Sequence, residues 1–213
     1  HEIKNPLTPM KLNVQFLQKA WIDKVPNFDE RLNKICNTII EQIENLSSIA
    51  TSFSNFAKMP KAKNAELNII ENLEKVIQLY KNLENISIKP SFPENSDLQV
   101  FADPEQLSRV FINIIQNAVQ SIPEGRTGFI SVGVYVETNK VVVKIADNGE
   151  GIESHLIDKL FVPNFTTKTS GMGLGLAIAN KIVENANGEI RFETVENMGS
   201  SFYVELPLLN YEF

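Results

Sequence analysis

The 213-residue chain has one cysteine, which excludes a disulfide framework. That residue, Cys36, lies in a helical pattern and reads as a small buried apolar side chain in a reducing, hence cytoplasmic, compartment. No apolar run approaches the about 18 residues needed to cross a bilayer, and no signal peptide is visible. Membrane attachment is therefore expected only through segments absent from this chain. Positive charge is scarce as well. Twenty Lys and Arg stand against 26 Asp and Glu, a net charge of −6, with no basic patch to suit a nucleic-acid partner. An initiating methionine is missing too, so the chain is expected to be cut from something longer. Internal repeats and low-complexity tracts are likewise absent.

What is present falls into two halves. Ile3, Leu7, Met10, Val14, Leu17 and Trp21 are spaced 4, 3, 4, 3 and 4 apart, a coiled-coil seam of nearly three heptads. Pro26 and Asn27 end that helix, and Asp29 and Glu30 enrich the first turn of the next. The second helix carries Leu32, Ile35, Ile39, Ile43, Leu46, Ile49, Phe53 and Phe56 on one face. The spacing predicts an antiparallel helical hairpin over residues 1–59, whose half-covered stripe a second copy would complete as a four-helix bundle homodimer. Residues 60–64 read as a linker. Over residues 65–213 strands and helices mingle without regular βαβ alternation, which predicts an α+β sandwich. FISVGVYVE and KVVVKIAD form an expected hairpin across Thr138 and Asn139.

The second half holds the densest chemistry. DNGEGI (Asp147–Ile152) closes a strand with Gly149 and Gly151 beside an acidic side chain. Gly171, Gly173 and Gly175 stand directly before a helix, where exposed backbone amides suit a phosphate chain. Alone, each stretch is also ordinary loop punctuation. Asn113 and Asn117 lie four apart, hence on one face of an otherwise apolar helix that asparagine does not favour.

Together these segments resemble the ATP-binding (Bergerat, GHKL) domain of sensor histidine kinases, and the first half resembles their dimerisation and phosphotransfer domain. INIIQNAVQSI is similar to the family's N box, DNGEGI to its first glycine box, FVPNFTTK to its phenylalanine box and GMGLGL to its second glycine box. GSSFYVELP is similar to its closing strand and HEIKNPL to its H box, and NAVQSI resembles the nitrogen-regulation branch. The resemblance implies that Asp147 bonds the adenine amino group, helped by Ser200 or Ser201. It implies that Asn117 and Asn113 hold Mg²⁺ against the triphosphate. Residues 161–170 would form a short ATP lid anchored by Phe161 and Phe165. Gly173, Leu174 and Gly175 would offer amides to the phosphates, with Lys168 adding positive charge. Where many members carry a basic residue and then an aromatic or His just after the N box, this chain has Gln120 and Ser121. A phosphate contact from that helix is not expected.

His1 and Asn5 fall outside the helical seam, about 40° apart around the axis, on a solvent-facing surface. Glu2 can take or orient the proton of the imidazole nitrogen opposite the reacting one. Pro6 and Pro9 cannot donate to the carbonyls of Glu2 and Asn5, so a bend or bulge is expected beside the histidine. The resemblance implies that His1 takes the γ-phosphoryl group of ATP and passes it to an aspartate of a response regulator receiver domain. It also implies that the amide of Asn5 places water for the reverse, phosphatase activity. Starting at His1 itself, the chain is expected to bind ATP but to dimerise and autophosphorylate weakly. The competing readings are a GHKL ATPase of gyrase or chaperone type, which lacks an H box, and a dimerisation scaffold without kinase activity.

Overall fold

A computed structural model describes residues 4–57, 61–94, 97–163 and 173–209. These residues divide into two compact units, the first two helices and everything from residue 61 onward.

The first unit is α1 (Lys4–Ile22) and α2 (Phe28–Ala57). α1 continues through Pro9 as one helix. The turn between the helices closes with Val25 N–H donating to the Ala20 carbonyl at 3.1 Å. Lys24 and Asn27 take φ of 49° and 58° there, a conformation asparagine tolerates better than most residues. Trp21 and Phe28 meet across the turn with ring centroids 5.4 Å apart. Leu32, Ile35, Ile39 and Leu46 are half-buried. Leu7, Val14, Trp21 and Ile43 remain exposed, at 44%, 54%, 70% and 50%. Two helices are too thin a layer to bury both faces of either, so the expected stripe is half covered. Cys36 is half-buried for the same reason, not buried as expected.

The second unit runs β1 (Ala65–Asn68), α3 (Ile69–Gln78), β2 (Ile86–Ser91), β3 (Gln99–Ala102), α4 (Pro104–Gln120), β4 (Gly128–Glu137), β5 (Lys140–Asp147), a 3-10 turn (Ser154–Lys159), α5 (Gly175–Asn185), β6 (Glu189–Val195) and β7 (Gly199–Pro207). β1 and β3 form a small antiparallel ribbon, and the main sheet has the order β2-β4-β5-β7-β6. In it only the β2–β4 pairing is parallel. α4 packs on β4 and β5, α5 on β6 and β7, and α3 against α4. This is the α+β sandwich anticipated from the mixed periodicity.

Local chemistry accounts for the elements that frame the site. Asp103 caps α4, accepting from Glu105 N–H at 3.0 Å and Gln106 N–H at 3.1 Å, and Pro104 opens the helix where no N–H is missed. α3 ends at Gln78. The N–H groups of Leu79 and Tyr80 bond three residues back, tightening the helix end. The Tyr80 hydroxyl then donates to the Ile112 carbonyl of α4 at 3.3 Å. Ile130, Val132, Val143, Ile145, Phe202 and Val204 alternate along their strands and are buried toward the helices.

The opposite sheet face is covered by long polar side chains. The Arg191 guanidinium lies 4.1 Å from the Tyr203 ring centroid, and the Tyr203 hydroxyl donates to Glu193 at 2.7 Å. Glu205 accepts from Arg191 at 2.5 Å and from Lys140 at 3.1 Å. The hydrogen bond from Arg191 holds the Glu205 carboxyl below its ordinary value of 4.5; burial opposes the shift and Lys140 reinforces it. A depressed folded-state value stabilises the fold above the unfolded-state pKa, and that increment is lost as pH falls through the folded one. Glu205→Gln is therefore expected to cost about 1.5–3 kcal/mol in urea unfolding at pH 7. The variant and the parent should converge once both are measured well below pH 4.5.

Candidate functional site

Asp147 ends β5 on the helix-facing side of the sheet, in phase with Val143 and Ile145 and paired with Ile130 of β4. Three donors converge on its Oδ1: Gly149 N–H at 2.8 Å, the Ser121 hydroxyl at 3.0 Å and Ser200 N–H at 3.4 Å. The turn that follows is clamped on both sides. Glu150 N–H donates to the Ser121 carbonyl at 3.0 Å, and Asn197 N–H to the Glu150 carbonyl at 2.6 Å. Arg126 Nη1 reaches the carbonyls of Asn148 and Gly149, each at 3.1 Å. Ile152 N–H donates to Thr194 Oγ1 at 2.9 Å, which contacts Ser200 Oγ at 2.9 Å.

The glycines of this turn permit close backbone approach. A Cβ on Gly149 would strike Ser121 Oγ, and one on Gly151, at φ +70°, would strike the Val195 carbonyl oxygen. Gly199 has φ +115°, and its Cβ would fall on the carbonyl oxygen of Asp147. Gly199→Ala is thus expected to destabilise the protein by about 3 kcal/mol, strained in both backbone and contact. Gly133→Ala serves as a control in the same sheet, because the nearest atom is 4.0 Å away, and thermal melts of the two variants check the contrast.

Asn113 and Asn117 are half-buried on α4. Asn113 Nδ2 donates to the carbonyl of Gly175, the first residue of α5, at 3.1 Å. That bond fixes the carboxamide with its oxygen as the atom left to bind a cation. It also brings the asparagine face of α4 to the N-terminus of α5. Leu174 precedes α5 without a side-chain cap, its side chain only 4% exposed, so backbone amides are what this end presents. Gly173 turns at φ +61° just before it. About 12 Å of helical rise separates Asn113 from Ser121, which touches Asp147. Along α4 the structure therefore sets hard oxygen donors and helix-end amides at one place and a hydrogen-bonding carboxylate further on.

Of the remaining expected residues, Ser200 is buried beside Asp147, whereas Ser201 pairs with Ala146 one position along the ladder. Phe161 packs edge-on against Phe192 at 5.9 Å, an anchoring contact. His1, Glu2, Phe165, Lys168 and Gly171 lie outside the described residues, as does the side chain of Asn5. Arg126 and Thr194 are parts of the site for which the chain offered no motif, and Ser121, inside the N-box segment, carries no expected phosphate contact and no other expected role. Among the described residues no group of three or more His, Cys, Asp or Glu could hold a metal. Two amide oxygens nonetheless fit Mg²⁺, which rarely uses an all-protein cage and keeps waters and substrate phosphates as ligands.

Comparison with known proteins gives two family matches. Residues 102–210 match the family described as histidine kinase-, DNA gyrase B-, and HSP90-like ATPase. Residues 1–61 match the His Kinase A (phospho-acceptor) domain. Sporulation kinase D of Bacillus subtilis (strain 168) is 32% identical over 213 residues, covering 98% of this chain and 40% of that protein. The chain spans less than half the length of the curated relatives it matches, three sporulation kinases of that organism among them. The solved catalytic domain of histidine kinase ThkA is 36% identical with a TM-score of 0.61, covering 68% of this chain and 95% of that one. The structure of ThkA in complex with response regulator protein TrrA is 30% identical with a TM-score of 0.69, covering 98% of this chain and 59% of that one.

Proposed function

The chain belongs to the histidine kinases of two-component signalling, and we propose that it transfers the γ-phosphoryl group of ATP to His1 and then to an aspartate of a response regulator. The single observation that carries the nucleotide reading is the bond from Asn113 to Gly175, which joins a cation-binding face to the phosphate-binding end of α5. Adenine would meet Asp147, with Ser200 beside it. The triphosphate would meet the amides of Gly171, Gly173, Leu174 and Gly175, with Lys168 countering its charge. Gly149 and Gly151 would shape the base end of the site by their turns. Asn113 and Asn117 would hold Mg²⁺, which supplies charge neutralisation between the phosphates.

An imidazole nitrogen of His1 attacks the γ-phosphorus in line. The N–P bond forms, the bond to the bridging oxygen breaks, and ADP leaves. Glu2 takes or orients the proton on the opposite ring nitrogen. In the second step the N–P bond breaks as a receiver aspartate oxygen bonds phosphorus, and Asn5 would orient water for the reverse, hydrolytic activity. The match of residues 1–61 to a phospho-acceptor domain favours this reading over a gyrase- or chaperone-type ATPase. The exposed seam of the hairpin supports a homodimer. No helix among the described residues is long and apolar enough to cross a membrane. Incubation with γ-labelled ATP tests the proposal: an acid-labile phosphoprotein that hands its label to a receiver domain is the expected result, and an unlabelled protein would overturn it.

A further inference from the structure

We propose that Thr194 is a positioning residue for base selection: it takes the proton of the Ser200 hydroxyl, so that Ser200 meets a purine as an acceptor beside Asp147. The inference rests on the reading of Asp147 and Ser200 as the adenine-facing groups.

Thr194 of β6 pairs with Ser200 of β7, and their hydroxyl oxygens lie 2.9 Å apart, where either can be the donor. Counting protons decides the direction. A hydroxyl has one proton and two lone pairs. One lone pair of Thr194 Oγ1 receives Ile152 N–H at 2.9 Å, and the Gly199 carbonyl stands 3.3 Å away to accept the Thr194 proton. With Ser200 donating to Thr194 and Thr194 to Gly199, both hydroxyl protons are bonded. With Thr194 donating to Ser200, the Ser200 proton has no protein acceptor among the described residues. Ser200 is only 7% exposed, and a buried donor left unpaired costs more than one bond returns. The first arrangement wins.

Ser200 N–H is committed as well, donating to Asp147 Oδ1 at 3.4 Å. Ser200 thus gives its backbone donor to the carboxylate and its side-chain donor to Thr194, and keeps lone pairs for a ligand. A carboxylate is likewise an acceptor. An exocyclic amino group, with two N–H bonds, suits such a pair; a carbonyl oxygen there sets lone pairs against lone pairs. Thr194 also seats the end of the glycine turn through Ile152 N–H. Its loss therefore has two separable effects. A loosened turn weakens every nucleotide alike, whereas a Ser200 proton freed to turn toward the base changes which base is preferred.

The test is a double-mutant cycle on the whole chain, reading displacement of a fluorescent ATP analogue by ATP and by inosine triphosphate, whose base has an oxygen where adenine has its amino group. Thr194→Val keeps the shape without the hydroxyl, and is expected to lower the preference for ATP by about 2–10-fold, the worth of one hydrogen bond. Thr194→Ser should retain the parental preference. In a Ser200→Ala background Thr194→Val should leave the remaining preference unchanged, an outcome a purely structural role would not produce. Ser200→Ala by itself should lower the preference to the same extent, and serves if the valine variant does not fold. Equal weakening of both nucleotides in Thr194→Val, a lost preference in Thr194→Ser, an unaltered one in Ser200→Ala, or a full-sized effect of valine in the Ser200→Ala background would each overturn the role of Thr194 alone. A parent chain that binds neither nucleotide, or both equally, would overturn the adenine reading and this inference with it.

Discussion

Asn117→Ala is expected to reduce Mg²⁺-dependent ATP binding by more than about 100-fold, beyond the loss typical of residues that merely support a metal ligand. The variant should still fold: Asn117 is half-buried on α4, and alanine is the better helix former. A cation ligand lost from a helix that remains intact separates binding from folding. Titration of a fluorescent ATP analogue with and without a chelator reads the first, and thermal unfolding reads the second. Parental affinity in a folded variant would remove Asn117 from the cation site.

His1→Gln is expected to abolish phosphoprotein formation while leaving ATP affinity unchanged. The amide of glutamine is not a nucleophile at neutral pH, whereas a neutral imidazole nitrogen is. The residues assigned to the nucleotide are Asn113, Asn117, Asp147 and others C-terminal to them, so the substitution touches none of them. The only other histidine, His155, gives the result a sharp control. It stands on the 3-10 turn with its side chain 69% exposed and Nδ1 3.3 Å from Glu153, a paired surface residue. His155→Gln should be labelled like the parent. Residual acid-labile phosphate in His1→Gln that disappears in the double variant would transfer the acceptor role to His155.

Much of this protein was written in local patterns. Heptad spacing was enough for the two hairpin helices, because side chains three and four apart share a helical face whatever surrounds them. The same geometry put Asn113 and Asn117 together before any contact was known. Turn chemistry marked the β4–β5 hairpin at Thr138 and Asn139, and the order of the glycine and asparagine segments was sufficient to point to the family. β1 escaped notice because four residues, AELN, carry too little alternation to stand out beside a linker.

What the tertiary structure alone decided were relations between segments distant in the chain. The sequence left Ser200 and Ser201 equivalent, but strand register brings Ser200 to Asp147 and turns Ser201 to the opposite face of the sheet. A one-residue slip would have exchanged them, and nothing in the residues flanking either serine fixes that register. Gly149 reads in sequence as a turn glycine beside an acidic side chain, and only the fold shows that its N–H belongs to Asp147 and its bare Cα to Ser121. The Asn113–Gly175 bond spans 62 residues, and the Ser121–Asp147 bond spans 26. Periodicity assigns a residue to a face of its own element. Which atom waits on the far side depends on how the sheet and the helices pack, and that is how Ser121, a position outside every expected contact, came to lie at the base end of the site.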